Sequence, residues 1–295
     1  MRKRFDINSN DNTLFVTEQC NNHCIMCCQP PKRKDDIDRL FDENLHLVRT
    51  APKELKILGI SGGEPSLLGD KLFELLAEIR NSLPDTGIHL LSNGRAFANR
   101  DFTHRLKQVA GDKVCVGVPI HSDYPGDHDM IAGAKGAYEE SILGLYTLAS
   151  EGIEIELRVV INRLNYARLP QMSEFINKNL PFVNWVAFMG MEKTGLAVRN
   201  LNKIWIEPIE YIPKLTEAVQ RLYDWDIDVA IYNIPLCLLP NKYHQFAEQS
   251  ISDWKVRYQP FCEGCALKGK CCGLFATSCE PYLGLNPFII GSKQE

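Results

Sequence analysis

Cys20, Cys24 and Cys27 stand at C-x3-C-x2-C spacing in Cys20-Asn21-Asn22-His23-Cys24-Ile25-Met26-Cys27, directly after the apolar run Thr13-Leu14-Phe15-Val16-Thr17. Three thiolates on so short a loop can take three corners of one iron–sulfur cube and leave the fourth iron without a protein ligand. A structural zinc would need a fourth protein ligand, and the neighbours His23 and Cys28 are each crowded against a cysteine of the set. The spacing points to a cube with one open corner, where an exogenous ligand can bind and react.

A second set lies near the other end. Cys262-Glu263-Gly264-Cys265 and Cys271 read C-x2-C-x5-C, and Cys237, inside Ile234-Pro235-Leu236-Cys237-Leu238-Leu239-Pro240, is the natural fourth ligand. Cys272 competes with Cys271 for the last position. Four thiolates would close a second cluster or a zinc site, and either would supply folding energy to a tail with little apolar periodicity. Cys28, Cys115 and Cys279 fit neither set and are expected to be buried or incidental thiols.

Composition bounds what else the chain can be. It has 295 residues, 45% hydrophobic and 24% charged, as in an ordinary globular protein able to bury one large core. No apolar run approaches the roughly 18 residues of a membrane span, and the basic start Met1-Arg2-Lys3-Arg4 has no following apolar segment to make it a secretory signal. A cytoplasmic location is expected. Eleven cysteines, odd in number and unevenly spaced, are poor material for a disulfide framework there. A net charge of −4 argues against nucleic-acid binding. The basic clusters at residues 2–4 and 32–34 are expected to be solvated surface, available to an acidic peptide.

The elements that must carry these residues repeat. Strand candidates at Leu14-Phe15-Val16, 55–60, 88–91, 113–120, 153–161 and 182–188 alternate with helix candidates at 35–49, 68–82, 100–109, 137–150 and 169–178. A long loop is expected before residue 135. Six strand–loop–helix units imply a parallel sheet with right-handed crossovers, an α/β partial (β/α)6 barrel whose active site lies at the carboxyl ends of the strands. The polar groups fall there: the cysteine loop after the first strand, Gly62-Gly63-Glu64-Pro65 after the second, Ser92-Asn93-Gly94 after the third, His121-Ser122-Asp123 after the fourth, Asn162-Arg163 after the fifth and Met189-Gly190-Met191-Glu192 after the sixth. Past residue 200 the repeat stops, leaving a helix at 209–223, a possible strand at 229–232 and a tail rich in Cys, Pro and aromatics. The expected division is a barrel over 10–200 and a small Cys-rich C-terminal extension over 201–295.

The cysteine loop after the first strand and the Gly62-Gly63-Glu64-Pro65 turn after the second, inside this repeat, resemble the radical S-adenosylmethionine (SAM) superfamily over residues 10–190. The resemblance implies that the amino and carboxylate groups of SAM chelate the open iron of a [4Fe–4S] cluster. One electron then cleaves the sulfonium, and the 5′-deoxyadenosyl radical abstracts a substrate hydrogen. It implies that Gly62, Gly63, Glu64 and Pro65 contact the methionyl ammonium and that Ser92 and Asn93 lie near the ribose or carboxylate. Arg158 is a candidate partner for the carboxylate and Met191 a candidate neighbour of the adenine, although a surface Arg and a core Met are the ordinary readings. The segment from His128 to Tyr138 resembles the loop after the fourth strand in peptide-modifying members, with His128 ordering that loop or moving a proton.

The closing run Cys262-x2-Cys265-x2-Lys268-x2-Cys271-x-Gly273-x-Phe275, with Tyr232 to Cys237 and Ser250 to Trp254, resembles radical SAM peptide maturases of the His-Xaa-Ser repeat system over residues 185–280. In that resemblance the ligand is Cys271, and the implied cofactors are two [4Fe–4S] clusters and SAM. The implied partners are a ribosomally synthesised peptide substrate and an external one-electron donor of the flavodoxin or ferredoxin type. Many such relatives carry a leader-binding region ahead of the cysteine loop, which here begins at residue 20, so peptide capture is expected to use the open barrel side, the tail or a separate peptide-recruiting protein. Three alternatives stand beside this reading: the same chemistry on a small molecule or nucleobase, an activase that places a radical on a partner's glycine, and a zinc-stapled binding module without catalysis.

Overall fold

The apolar runs pair as one parallel sheet, each strand beside the next in sequence. In the computed structural model, which describes residues 5–6, 12–278 and 280–288 (Asp253 by its backbone alone), its strands are β1 (Thr13–Phe15), β2 (Ile57–Ser61), β3 (Gly87–Leu91), β4 (Val114–Pro119), β5 (Glu154–Val160), β6 (Trp185–Met189), β7 (Val229–Tyr232) and β8 (Ala247–Glu248). The helices are α1 (Ile37–Arg49), α2 (Asp70–Ser82), α3 (Arg100–Ala110), α4 (Pro125–Ala132), α5 (Ala137–Ser150), α6 (Leu169–Asn179), α7 (Leu196–Ile204) and α8 (Pro208–Asp224). Two short strands, β9 (Val256–Arg257) and β10 (Leu274–Phe275), pair antiparallel outside the sheet. The curved sheet is an α/β partial barrel with β1 and β8 as its edges.

Strand alternation decides what each face holds. Leu58, Ile60, Ile88, Leu90, Val116, Leu157, Val186 and Phe188 point into the layer beneath the helices and are buried. Burying each such side chain contributes about 1.5–3 kcal/mol. The opposite face lines the lumen and carries His89, Glu156, Arg158, Trp185 and Tyr232.

Three features depart from the sequence pattern. The sheet has eight strands where six repeats were expected, because β7 and β8 continue it beyond residue 200. β8 is two residues long, too short to show an alternation. The long loop expected before residue 135 contains α4, started by Pro125 in its first turn and ended by Gly133 in the left-handed region, φ 61°. α7 likewise occupies a stretch where no element was expected.

The Cys-rich extension rests on the barrel. Ile234, Leu238, Leu239, Tyr243, Leu274 and Tyr282 join the main core, while Ile251, Cys272 and Phe275 form a small cluster against Val256. Lys255 pairs with Glu192 at 3.0 Å, and Thr277 donates to the other oxygen of Glu192 at 3.1 Å, tying the extension to the segment after β6. Among the described residues, no helix is long and apolar enough to cross a membrane.

Candidate functional site

The cysteine loop is clamped from two sides. The amides of His23 and Ile25 donate to the carbonyls of Ala132 and Ile131 at the end of α4, at 2.9 and 3.0 Å. Leu196 N, opening α7, donates to Cys27 O at 2.9 Å, and Asn200 Nδ2 donates to Ile25 O at 2.8 Å. Gly133 and Gly195 lie so close to the His23 and Cys27 carbonyls that a methyl group at either would collide with them. At the loop's entry, Asp36 just ahead of α1 accepts from Thr17 Oγ1 at 2.8 Å and from Glu18 N at 3.0 Å.

The turns after β2 and β3 lock onto this loop. Gly63 N donates to Thr17 O and Glu64 N to Gln19 O, both at 2.7 Å. A methyl group on Gly63 would collide with the Gln19 carbonyl oxygen, so only glycine allows the approach. Glu64 is fully buried, and its carboxylate accepts from Ser66 N at 3.0 Å, Ser92 Oγ at 2.8 Å and Asn93 N at 2.7 Å. Asn93 Nδ2 reaches Asn21 Oδ1 at 2.6 Å, and Arg95 Nη1 donates to Asn21 O at 2.9 Å and Asn22 Oδ1 at 2.8 Å. Three strand ends thus form one hydrogen-bonded unit.

The donor chemistry of the loop fits an iron–sulfur core. Burial, with repulsion from Cys27 and Cys20, pushes the Cys24 thiol up to about 12, and burial pushes Cys27 up to about 11 and raises Cys20. Three crowded sulfurs of this kind ionise readily only around a cationic centre. Among the described residues, no three His, Cys, Asp or Glu side chains draw together as they would on a single metal ion.

Cys237, Cys262, Cys265 and Cys271 line one small cavity of about 30 Å³, walled by Pro235, Leu267, Pro287 and Phe288. Leu236 N and Gly273 N donate to Cys271 Sγ at 3.4 and 3.5 Å. A hydrogen bond from Cys272 is the main cause holding Cys271 down to about 6, whereas burial pushes Cys237 up to about 11. Cys272 is buried and lines the barrel lumen, on the other side of the wall. Tyr258, whose hydroxyl donates to Cys271 O at 2.8 Å, borders both cavities.

Beneath the turns the lumen encloses about 1250 Å³. Arg158 points into it, with Nε and Nη2 each 3.3 Å from Met189 Sδ. His89 Nε2 lies 2.7 Å from Glu156 Oε2. Burial alone would raise the Glu156 carboxyl, but His89 and Arg158 outweigh it and hold it below the usual range.

Several expected residues have a structural role. Ser92 is buried against Glu64, and Pro65 begins the short 3-10 turn Pro65–Leu68. Met191, a candidate adenine neighbour, is packed as core with Met26, Ile131, Ala197 and Ile204, beneath Cys24 and Ile25. His128 is buried and accepts from His121 N at 3.1 Å, a loop-ordering contact. Cys28 is exposed rather than buried, Cys115 is half-buried on β4, and Cys279 lies outside the described residues. Asn21, Asn22, Arg95, His89, Glu156 and Tyr258 were not anticipated. Polar residues at alternate positions of otherwise apolar strands, as in Gly87-Ile88-His89 and Glu154-Ile155-Glu156-Leu157-Arg158, are a signal that could have found the lumen set.

The family model described as "Radical SAM superfamily" matches residues 14–176. Among curated proteins, the chain is 27% identical over 166 residues to Fe-coproporphyrin III synthase of Methanosarcina barkeri, covering 55% of this chain and 40% of that protein. It is 30% identical over 156 residues to the sporulation killing factor maturation protein SkfB of Bacillus subtilis, covering 52% and 36%. The chain thus spans well under half the length of these relatives. Among solved structures, Streptococcus suis SuiB bound to S-adenosylmethionine matches with TM-score 0.55 and 12% identity over 82% of this chain and 53% of that one. SuiB bound to its precursor peptide SuiA matches with the same score and identity over 74% and 48%. At that identity the likeness is one of fold.

Proposed function

This chain belongs to the radical SAM superfamily, and from that premise we propose that it reductively cleaves S-adenosylmethionine to modify a ribosomally synthesised peptide by hydrogen abstraction. It is an enzyme of that superfamily, which implies one [4Fe–4S] cluster and SAM. In this reading Cys20, Cys24 and Cys27 hold the cluster, and cluster and SAM together supply an electron and a 5′-deoxyadenosyl radical. Gly62 and Gly63 bring backbone close to the methionyl group, with Pro65 stiffening the turn. Glu64 fixes the geometry of Ser92 and Asn93, and Arg158 offers its guanidinium to a carboxylate from below. Met191 supports the cysteine loop from beneath the cofactor. The observation that carries the reading is the single bonded unit made by the loop and the turns after β2 and β3, centred on Glu64.

The extension from residue 201 onward would hold a second [4Fe–4S] cluster on Cys237, Cys262, Cys265 and Cys271, which the shared apolar cavity supports. A peptide substrate is supported by the resemblance of the closing motif to His-Xaa-Ser maturases and by the match to a maturation protein. A peptide-recruiting protein and a flavodoxin- or ferredoxin-type donor complete the system. The second reading, a small-molecule substrate, is favoured by the match to Fe-coproporphyrin III synthase. Anaerobic reconstitution should give about eight irons per chain, and about four when Cys237 and Cys271 are replaced by Ala. Reduction with SAM should release 5′-deoxyadenosine, and Cys24→Ala should abolish it. Two zincs per chain and intact SAM would overturn the reading.

A further inference from the structure

Glu156 is the third residue of β5, has no exposed surface, and carries one carboxylate oxygen, Oε1, with no partner within hydrogen-bond distance among the described residues, while the Trp185 side chain beside it helps hold the carboxyl ionised. Its other oxygen meets His89 from β3 at 2.7 Å and Arg158 at 3.4 Å. The two histidine and glutamate side chains reach one another across β4 because Gly117 stands between them. A methyl group there would sit 3.0 Å from Glu156 Oε2 and 3.2 Å from His89 Nε2. A buried carboxylate oxygen left without a donor costs about 1–3 kcal/mol or more, so it marks either strain or a site that a ligand completes.

The surroundings favour a ligand of one kind. Trp185, Tyr223 and Tyr232 line the same lumen, offering aromatic faces to a cation and apolar wall to an aliphatic stem. Two further acids, Asp228 ahead of β7 and Glu248 on β8, stand exposed on its lining, and neither has an ion-pair partner among the described residues. Among the described residues Arg158 is the only Lys or Arg on that lining, and its Nε and Nη2 face Met189 Sδ. Acids at the entrance of a low-dielectric cavity concentrate cations.

We propose that the Glu156 carboxylate on the lumen wall receives an aliphatic ammonium or guanidinium group carried on a peptide side chain. The proposal rests on the radical SAM peptide reading above and names the substrate side-chain class for it.

The test uses the anaerobically reconstituted full chain with SAM and three compounds: acetyl-Ala-Lys-Ala-amide, its norleucine counterpart and n-butylamine, with binding measured by calorimetry. The lysine peptide should bind at least about tenfold more tightly than the norleucine peptide, as a charge-assisted hydrogen bond in a dry site requires. It should also bind more tightly than butylamine, which should compete with it. Glu156→Gln should erase the preference for lysine. Should that variant fail to fold, Glu248→Gln at the exposed rim serves instead, with an expected loss of about two- to threefold for the lysine peptide alone. Equal binding of the lysine and norleucine peptides, a lysine preference that survives Glu156→Gln, or a lysine-peptide affinity unchanged by Glu248→Gln, overturns the cation site. Butylamine binding as tightly as the peptide overturns the peptide source. 5′-Deoxyadenosine release, followed in the same samples, separates the two levels. Release without lysine preference removes this inference alone, and lysine preference without release removes the enzymatic reading alone.

Discussion

Glu64 accepts three hydrogen bonds on two buried oxygens, from Ser66 N, Ser92 Oγ and Asn93 N, and so acts as the pin between two turns. Glu64→Gln keeps the volume but turns one acceptor into a donor facing donors. Urea unfolding should show a loss of about 2–3 kcal/mol, and iron uptake by the cysteine loop should fall with it. An unchanged midpoint would mean that the pin carries no load. His121 and His128 test a different residue-scale effect. Burial lowers His121 to about 3 and His128 to about 4, and Nδ1 of His121 has no partner. The unfolded imidazole titrates near about 6.5, so between that pH and about 4 the unfolded chain holds protons the folded chain does not. Stability is therefore full above that window and falls as pH drops through it, by about 1.4 kcal/mol per pH unit for each histidine. His121→Leu should roughly halve that slope in urea melts at pH 6.5 and 5.

At the scale of elements, the turn after β3 depends on α5. Ser141 Oγ donates to Asn93 O at 2.8 Å, and Gly144 comes so close to the Gly94 carbonyl that a methyl group there would collide with it. Gly144→Ala should cost about 1–3 kcal/mol through forced backbone movement. Because the moved turn carries Asn93, the variant should also bind SAM more weakly, which equilibrium dialysis would read. Normal SAM affinity in a destabilised variant would separate packing from site geometry. α4 and α7 do the corresponding work for the cysteine loop. Neither was anticipated: α4 is eight residues with little helical periodicity in its apolar positions, and α7, although amphipathic, is only nine residues long.

At the scale of the molecule, residues far apart in the chain share one sheet and one lumen, and the extension is held both by the barrel core and by its own cavity of cysteines. If a metal centre staples that cavity, the double replacement of Cys237 and Cys271 by Ala should make residues 233–288 about tenfold more susceptible to proteolysis while residues 14–224 stay resistant. Limited digestion followed by mass spectrometry would show it. Equal resistance would assign the extension's stability to Ile234, Leu238, Leu239 and Tyr243 alone.

The linear pattern was enough for the parallel sheet, since helix and strand periodicities alternate with short punctuating turns. It also marked both cysteine sets as candidate ligands, since ligand spacing is a local property. Which side chains serve the site and which serve the core was decided by the tertiary structure. Glu64 hydrogen-bonds the turns around it, Met191 packs in an apolar cluster and Cys272 lines the lumen rather than the cavity of Cys271. The lumen pair of His89 and Glu156 exists only because Gly117 leaves room between β3 and β5. Such meetings depend on register across strands 67 residues apart in the chain, which no local pattern encodes.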